Sequence, residues 1–237
     1  DEFDIHTGGV DHIPTHHENE IAQSKGATGK IPAKHWMHVE FLQVDNGKMS
    51  KSLGNTYTLD NLQEKGIEPL AYKLFCYTAH YRTKLNFTFD SATSSQKALN
   101  RLREGYIAHT ESESNVDQEI INEYRKRFID AVNDDLNMPL AMGIVWEVVR
   151  NQIKSKQFAE LLVEFDKVLG LDIENSKKYI DEQEKIDLPK EILELVEQRK
   201  VARENKDWTE SDRIRDLLKD MGYIIKDTKE GMTVEHM

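Results

Sequence analysis

The chain has 237 residues, enough to bury a real core and to hold one large or two modest domains. Its 43 Asp and Glu against 32 Lys and Arg give a formal charge of −11, which argues against nucleic-acid binding by bulk charge yet allows one local basic face. The one cysteine, Cys76, excludes an intrachain disulfide framework; no apolar run approaches the ~20 residues of a membrane span and no secretory signal is visible, so a cytoplasmic protein is expected.

Phe3 and Ile5 predict a short strand that delivers the chain to a turn at Gly8-Gly9. Thr15, with Glu18 three places on, has capping-box spacing, and Pro14 and Gly26 bracket a helix of roughly three turns. On that helix His16 and Glu20 are four apart and face the same way. Such a pair is either an exposed hydrogen bond or two ligands of one metal ion, and zinc accepts both ligand types. Trp36 to Val44 is rich in aromatic and β-branched residues and predicts a strand running into the turn Asp45-Asn46-Gly47. Lys48-Met49-Ser50-Lys51-Ser52 follows at once. Two lysines flanking a small hydroxyl-bearing loop can swing onto a polyphosphate and stabilise charge as its phosphates part. A solvated surface turn is the plainer alternative. Glycine turn, helix, strand and phosphate loop, in that order, predict the closing part of a nucleotide-binding α/β domain.

Beyond Asn55 the pattern is helical. Thr58 is expected to cap a short helix ending at Gly66, and Pro69 to open a second carrying Leu70, Leu74 and Tyr77. Cys76, beside Leu74 and Phe75, is expected to be a buried core thiol. Asp90 is expected to cap a longer helix with Leu99, Leu102, Tyr106 and Ile107 on its inner face, and His109 to Asp117 to be a polar linker. Ile121, Tyr124, Phe128, Ile129 and Val132 mark the next helix, the run Asn133 to Ala141 breaks and restarts it, and Leu169-Gly170 ends a further one. Glu160 to Glu197 holds twelve acidic and five basic residues and is expected to be a solvated face plus linker. Pro189 opens the last unit, with Ile192, Leu195, Val196 and Val201 on one helix face. Between Arg199 and Lys219 the balance reverses to seven basic against five acidic residues. Gly222 closes the second helix of this unit, and a terminal hairpin is expected after it.

Two stretches carry a family resemblance. Lys48 to Ser52, continued by Leu53-Gly54-Asn55, resembles the KMSKS signature with which class I aminoacyl-tRNA synthetases grip ATP. Gly8-Gly9-Val10-Asp11, leading through Pro14-Thr15 into His16-His17-Glu18-Asn19-Glu20-Ile21-Ala22-Gln23, is similar to a segment of the cysteinyl-tRNA synthetases. The turn Asp134-Asp135-Leu136-Asn137-Met138-Pro139 resembles one in that family's helical domain, with Met138 where Thr is usual, and is expected only to join two helices. The last unit resembles its small anticodon-end module, with Val234 where a tryptophan is usual.

The resemblance implies an α/β remnant of a class I nucleotide-binding domain in residues 1–57, then a helical stem-contact region in 58–112. A helical bundle in 113–187 and a small helix-hairpin module in 188–237 would follow. It implies a ligase that activates cysteine with ATP and Mg2+ and passes it to tRNA(Cys). Lys51 and Lys48 would be catalytic, with Met49, Ser50 and Ser52 completing the ATP loop. Asp11 would receive the cysteine ammonium group; the plainer role for an aspartate in such a turn is to bond its own backbone. His16 would lie at the substrate and, with Glu20, hold Zn2+ together with two cysteines that this sequence lacks. His12 and His17 rank below these as substitute ligands. His35, Trp36 and His38 match the family only loosely, and Trp36 is expected in the core. Arg199, Lys200, Arg203, Lys206, Arg213 and Arg215 would meet RNA phosphates and Trp208 would stack, although a charge-mixed exposed helix pair would look much the same.

No His-x-Gly-His signature occurs, and the chain opens on Asp1. It is therefore expected to be a fragment, inactive alone, whose partner is the missing N-terminal half of the catalytic domain. Two rival functions remain at this level: a cysteine:amino-sugar ligase of mycothiol synthesis, and a non-catalytic paralogue that binds tRNA or a protein partner.

Overall fold

The computed structural model describes residues 2–186, 189–205, 207–228 and 231–236. Strand β1 spans Phe3–Gly9, helix α1 Glu18–Thr28 and strand β2 Ala33–Val39. The strands pair in parallel, from Phe3 against Ala33 to Gly9 against Val39, so α1 is the crossover of a βαβ unit. The cap expected at Thr15 does not form. A 3-10 turn at Val10–His12 and a π-helical turn at Ile13–His17 run straight into α1, so Thr15 is already inside a helical turn, where its backbone carbonyl accepts from Glu18 N–H. The helix also passes through Gly26 and stops at Gly29, whose φ of 75° suits glycine.

The single strand expected from Trp36 to Val44 is two strands in two sheets. β2 ends at Val39, and Glu40 N–H turns aside to donate to Tyr81 O. β3 (Leu42–Val44) then pairs with β4 (Gly47–Lys48) across Asp45 and Asn46, whose φ values of 50° and 61° are those of a tight hairpin turn. Two short helices follow as the sequence predicts. α2 (Leu59–Gln63) is capped reciprocally by Thr58 and Asn61, and α3 (Pro69–Cys76) is opened by its proline. β5 (Leu85–Phe87) returns to pair in parallel with β3.

α4 (Phe89–Thr110) is capped by Thr88 with Ser91, and Asp90 lies within its first turn, where a carboxylate still favours the positive end of the helix. The helix overruns the expected linker. His109 is fully buried: its Nδ1 accepts from Ser155 N–H at 3.1 Å, which leaves Nε2–H to donate to Val148 O at 3.0 Å. Burial pushes its pKa down. α5 (Gln118–Asn133), α6 (Met138–Val149) and α7 (Lys156–Leu169) complete a bundle. Leu99, Leu102, Val145, Val148, Leu162 and Phe165 fill it, in one apolar cluster that also holds Val44 and Leu62. Ile129, expected inward on α5, is exposed; Ile121 and Phe128 carry that helix's contact.

Two polar anchors tie loops to this body. Arg103 on α4 is fully buried and forks onto Glu68, the residue that caps α3, at 2.9 and 2.7 Å. Asp135 and Leu136, between α5 and α6, hold φ values of 52° and 55°. The Asp135 carboxylate accepts from Arg82 at 2.6 Å and from Tyr81 Oη, while His80 Nε2 stands 2.9 Å from the Asp135 carbonyl. The Arg82 and Tyr81 hydrogen bonds hold the Asp135 pKa down to about 2. A carboxylate depressed in the folded state stabilises above its unfolded pKa, and that stabilisation disappears as pH falls through about 2. Asp135→Asn should therefore lower the melting temperature at pH 7, with the gap to wild type closing towards pH 2 in melts monitored by circular dichroism. An equal gap at both pH values would remove the ion pair as its cause.

The chain divides into two units, Asp1–Ser176 and Lys177–Met237. α8 (Ser176–Ile186) leads into the second, where α9 (Lys190–Glu204) and α10 (Trp208–Asp220) pack through Ile192, Ile214 and Leu218. Val201 is exposed where the sequence predicts it inward, and Ala202 is buried instead. Gly222, at φ 91°, leads into the expected hairpin of β6 (Tyr223–Thr228) and β7 (Gly231–His236). Among the described residues no helix is long and apolar enough to cross a membrane.

Candidate active site

The loop Lys48 to Ser52 is held from three sides. The β3–β4 hairpin delivers it, and Asn46 N–H at the hairpin tip donates to Asn86 Oδ1 at 2.7 Å. Asn55 closes it like a staple, its Oδ1 accepting from Ser50 N–H at 2.8 Å while its Nδ2 donates to Lys48 O at 3.0 Å. Met49 packs on the apolar core and lines a cavity of about 320 Å³ with Leu42, Tyr57, Leu62, Tyr72 and Phe87. Ser50 and Ser52 hydroxyls lie 3.1 Å apart, and a 3-10 turn at Lys51–Leu53 ends on Gly54 at φ 65°. Lys48 and Lys51 are exposed and, among the described residues, neither ammonium has an ion pair. Thus the backbone is clamped while the two cations stay available. Met49 is an anchor, a role that its place in a phosphate loop does not suggest.

The second element is a nest of histidines at the end of β1. Parallel pairing sets His6 beside Trp36 and Gly8 beside His38. His17, 3% exposed, stands at the centre, its Nδ1 2.8 Å from His38 Nε2. The rings of His6, His12, Trp36 and His38 lie within 5.3 Å of the His17 ring, centroid to centroid. Burial first, then the neighbouring His6 and His38, push the His17 pKa down, so it is neutral near pH 7. Trp36 is thus half-buried against the nest and lies outside the apolar core; the core expected for it cannot form on a two-stranded sheet.

His16 Nε2 and Glu20 Oε1 lie 3.5 Å apart, so helical spacing brings the expected pair together, with His16 well exposed. A tighter donor set is present beside it: ligand atoms of His6, His17 and Glu20 all lie within 4.8 Å of one another. Glu20 Oε2 is shut off from solvent and has no hydrogen-bond partner, although His6 Nε2 is only 3.0 Å away. Two imidazoles and an orphaned carboxylate oxygen fit a divalent ion such as zinc. His6 is invisible to helical periodicity because it comes from the strand; the alternation of β1, which places His6 and Gly8 on one face, is the signal that could have found it. Asp11 is exposed in the 3-10 turn, its carboxylate folded over Gly9. Cys76 is half-buried on α3, and burial pushes its thiol pKa up, unlike a metal-binding or nucleophilic thiolate.

Gly8 is the keystone of the nest. A Cβ there would stand 2.7 Å from the His17 ring and 2.8 Å from His12 Nδ1. Gly8→Ala is expected to spread the rings and weaken zinc binding at least tenfold by competition with a chromophoric chelator. Unaltered zinc affinity would show that the nest does not depend on close approach.

In the terminal unit Arg213 forks onto Glu210, Arg215 pairs with Asp212 at 2.9 Å and Asp216 at 3.2 Å, and Lys200 pairs with Glu197 at 3.3 Å. Trp208 is exposed, with the Arg203 guanidinium 5.9 Å from its ring centre. Arg199 is only 3% exposed, because it shares the Ile192, Leu195 and Ala202 face of α9, so it is not a surface contact for phosphate. Lys206 lies outside the described residues.

Three family models match. Residues 1–97 match the class I (C) tRNA synthetase catalytic domain, 127–174 the DALR domain, and 186–234 the cysteinyl-tRNA ligase anticodon-binding domain. A solved LeuRS of Agrobacterium radiobacter K84, in a ternary complex with tRNA and LeuAMS, aligns with a TM-score of 0.56. At 14% identity over 73% of this chain and 26% of that one, it shares the fold alone. The chain belongs to the class I aminoacyl-tRNA synthetases, with a small α/β region ahead of a helical body. Within that class it belongs with the cysteinyl-tRNA synthetases. Cysteine–tRNA ligase 1 of Burkholderia lata is 43% identical over 97% of this chain and 47% of its own length. The cysteine–tRNA ligases of Caldicellulosiruptor saccharolyticus and Leptospira interrogans are 42% and 39% identical, with 53% and 51% of their lengths covered. The chain therefore spans about half the length of the curated relatives it matches.

Proposed function

We propose that this chain is the phosphate-loop and RNA-docking part of a cysteine–tRNA ligase, which activates cysteine with ATP and Mg2+ and passes it to tRNA(Cys) in the cytoplasm. The observation that carries this is the clamped loop with two unpaired ammonium groups. Lys51 meets the β and γ phosphates as charge separates, and Lys48 holds them beforehand. Asp11 receives the ammonium group of cysteine. Zinc, when bound, supplies a centre that prefers a thiolate to a hydroxyl and so separates cysteine from serine. Glu20 is common to both donor sets, the pair with His16 and the triad with His6 and His17. The domain limits near residues 57, 112 and 187 are proposed with this function, and the match of 186–234 to an anticodon-binding domain disfavours an amino-sugar ligase.

The test is cysteine-dependent exchange of pyrophosphate into ATP, by this chain co-purified with the half of the catalytic domain that its relatives carry in addition. Exchange with cysteine and none with serine is expected, and this chain assayed alone should give none. A folded, associated pair without exchange would overturn the ligase assignment.

A further inference from the structure

The arginines of this acidic chain are mostly neutralised. Arg82, Arg103, Arg125, Arg127, Arg213 and Arg215 each hold a carboxylate. Among the described residues Arg101 and Arg150 hold none, and both are exposed. They come from different helices, α4 and α6, and line the same cavity of about 480 Å³, within the ~300–1,000 Å³ usual for ligand sites.

Its other walls complete the chemistry. Trp146 is half-buried, with the Arg150 guanidinium 5.4 Å from its ring centre, so an aromatic face and a cation stand side by side. Gly105 lets the helices close up, since a Cβ there would sit 2.5 Å from Val149 Cγ1. Glu104 adds one carboxylate to the rim, an acceptor for base or ribose donors. Two free guanidinium groups suit phosphate oxygens, and the indole suits a nucleobase face.

We propose that Arg101, Arg150 and Trp146 form an RNA subsite on the helical body, which takes one backbone phosphate between the arginines and one unstacked base on the indole. It rests on the tRNA-ligase assignment above and names a docking point of that RNA outside the terminal unit. Its occupant is RNA because charge complementarity and a stacking face occur together in a chain whose net charge is −11.

The experiment measures binding of a tRNA(Cys) transcript to the 237-residue chain by fluorescence anisotropy across a salt series. The double variant Arg101→Gln/Arg150→Gln should weaken binding at least tenfold and flatten the log–log salt slope by one to two units, from about 0.9 per phosphate contact. Trp146→Leu should weaken it about tenfold, the scale of one lost stack, with little change in slope. Lys126→Gln/Arg127→Gln removes the same charge from α5 and should change affinity less than twofold. Equal losses in the two double variants, both folded by circular dichroism, would sink the subsite and leave the tRNA assignment standing. Wild-type chain that binds no tRNA would sink both. Loss of AMP or inorganic phosphate binding with unchanged tRNA binding would make the cavity a small-anion site and overturn the proposal.

Discussion

Lys51→Ala is expected to slow cysteine activation by about two to three powers of ten in a completed enzyme, the cost of one preorganised transition-state donor. The loop is built so that this substitution removes little else. Its shape comes from Asn55, Met49 and the β3–β4 hairpin, and the Lys51 side chain is exposed. Stability should therefore stay at the wild-type value. The loss should fall on kcat more than on KM for ATP, because the ammonium acts on charge that develops as pyrophosphate leaves. Lys48→Ala should raise KM more than it lowers kcat. Wild-type exchange rates from the Lys51 variant would take that residue out of the mechanism.

Glu68→Gln should cost about 3–5 kcal/mol of folding stability, the usual penalty for stranding a buried charge. Arg103 is 0% exposed, and its guanidinium has been taken out of water on the strength of two hydrogen bonds to that one carboxylate. Glu68 also sits at the start of α3 and accepts from Gln96, so the loss would loosen the contact between α3 and α4. Domains of this kind are stable by only about 5–15 kcal/mol, so urea unfolding should show a large shift in midpoint. Adding Arg103→Met should recover much of it, since an apolar pair of similar volume avoids the buried charge. A loss below ~1 kcal/mol, the worth of a surface ion pair, would show that the guanidinium is hydrated.

What could be read beforehand divides along the physics of local and distant pairing. Thr58, Pro69, Gly170 and Gly222 punctuate the chain through their own backbone preferences, and the structure uses each as expected. The inward face of α5 follows from periodicity except at Ile129. The start of α1 does not, because a 3-10 turn and a π turn precede it and shift its phase against the sequence. The candidate site shows the same division. His16 and Glu20 are neighbours by helix geometry and could be paired on paper. His6 and His38 reach His17 only through the parallel pairing of strands whose contact no local spacing encodes. Arg199 looks like a surface cation until the helical phase of Ile192 and Ala202 turns it inward.

The pairing of β3 with β5 carries a mechanical consequence. The lysine loop grows from the β3–β4 hairpin, yet its sheet partner β5 runs through Thr88 directly into α4. The histidine nest hangs on the other sheet, β1 with β2. So the two halves of the candidate site are mounted on different beams, and the loop shares its beam with Arg101 at the far cavity. A load on α4 would travel along that rigid rod to the lysines first, leaving the nest as the fixed bench against which they move.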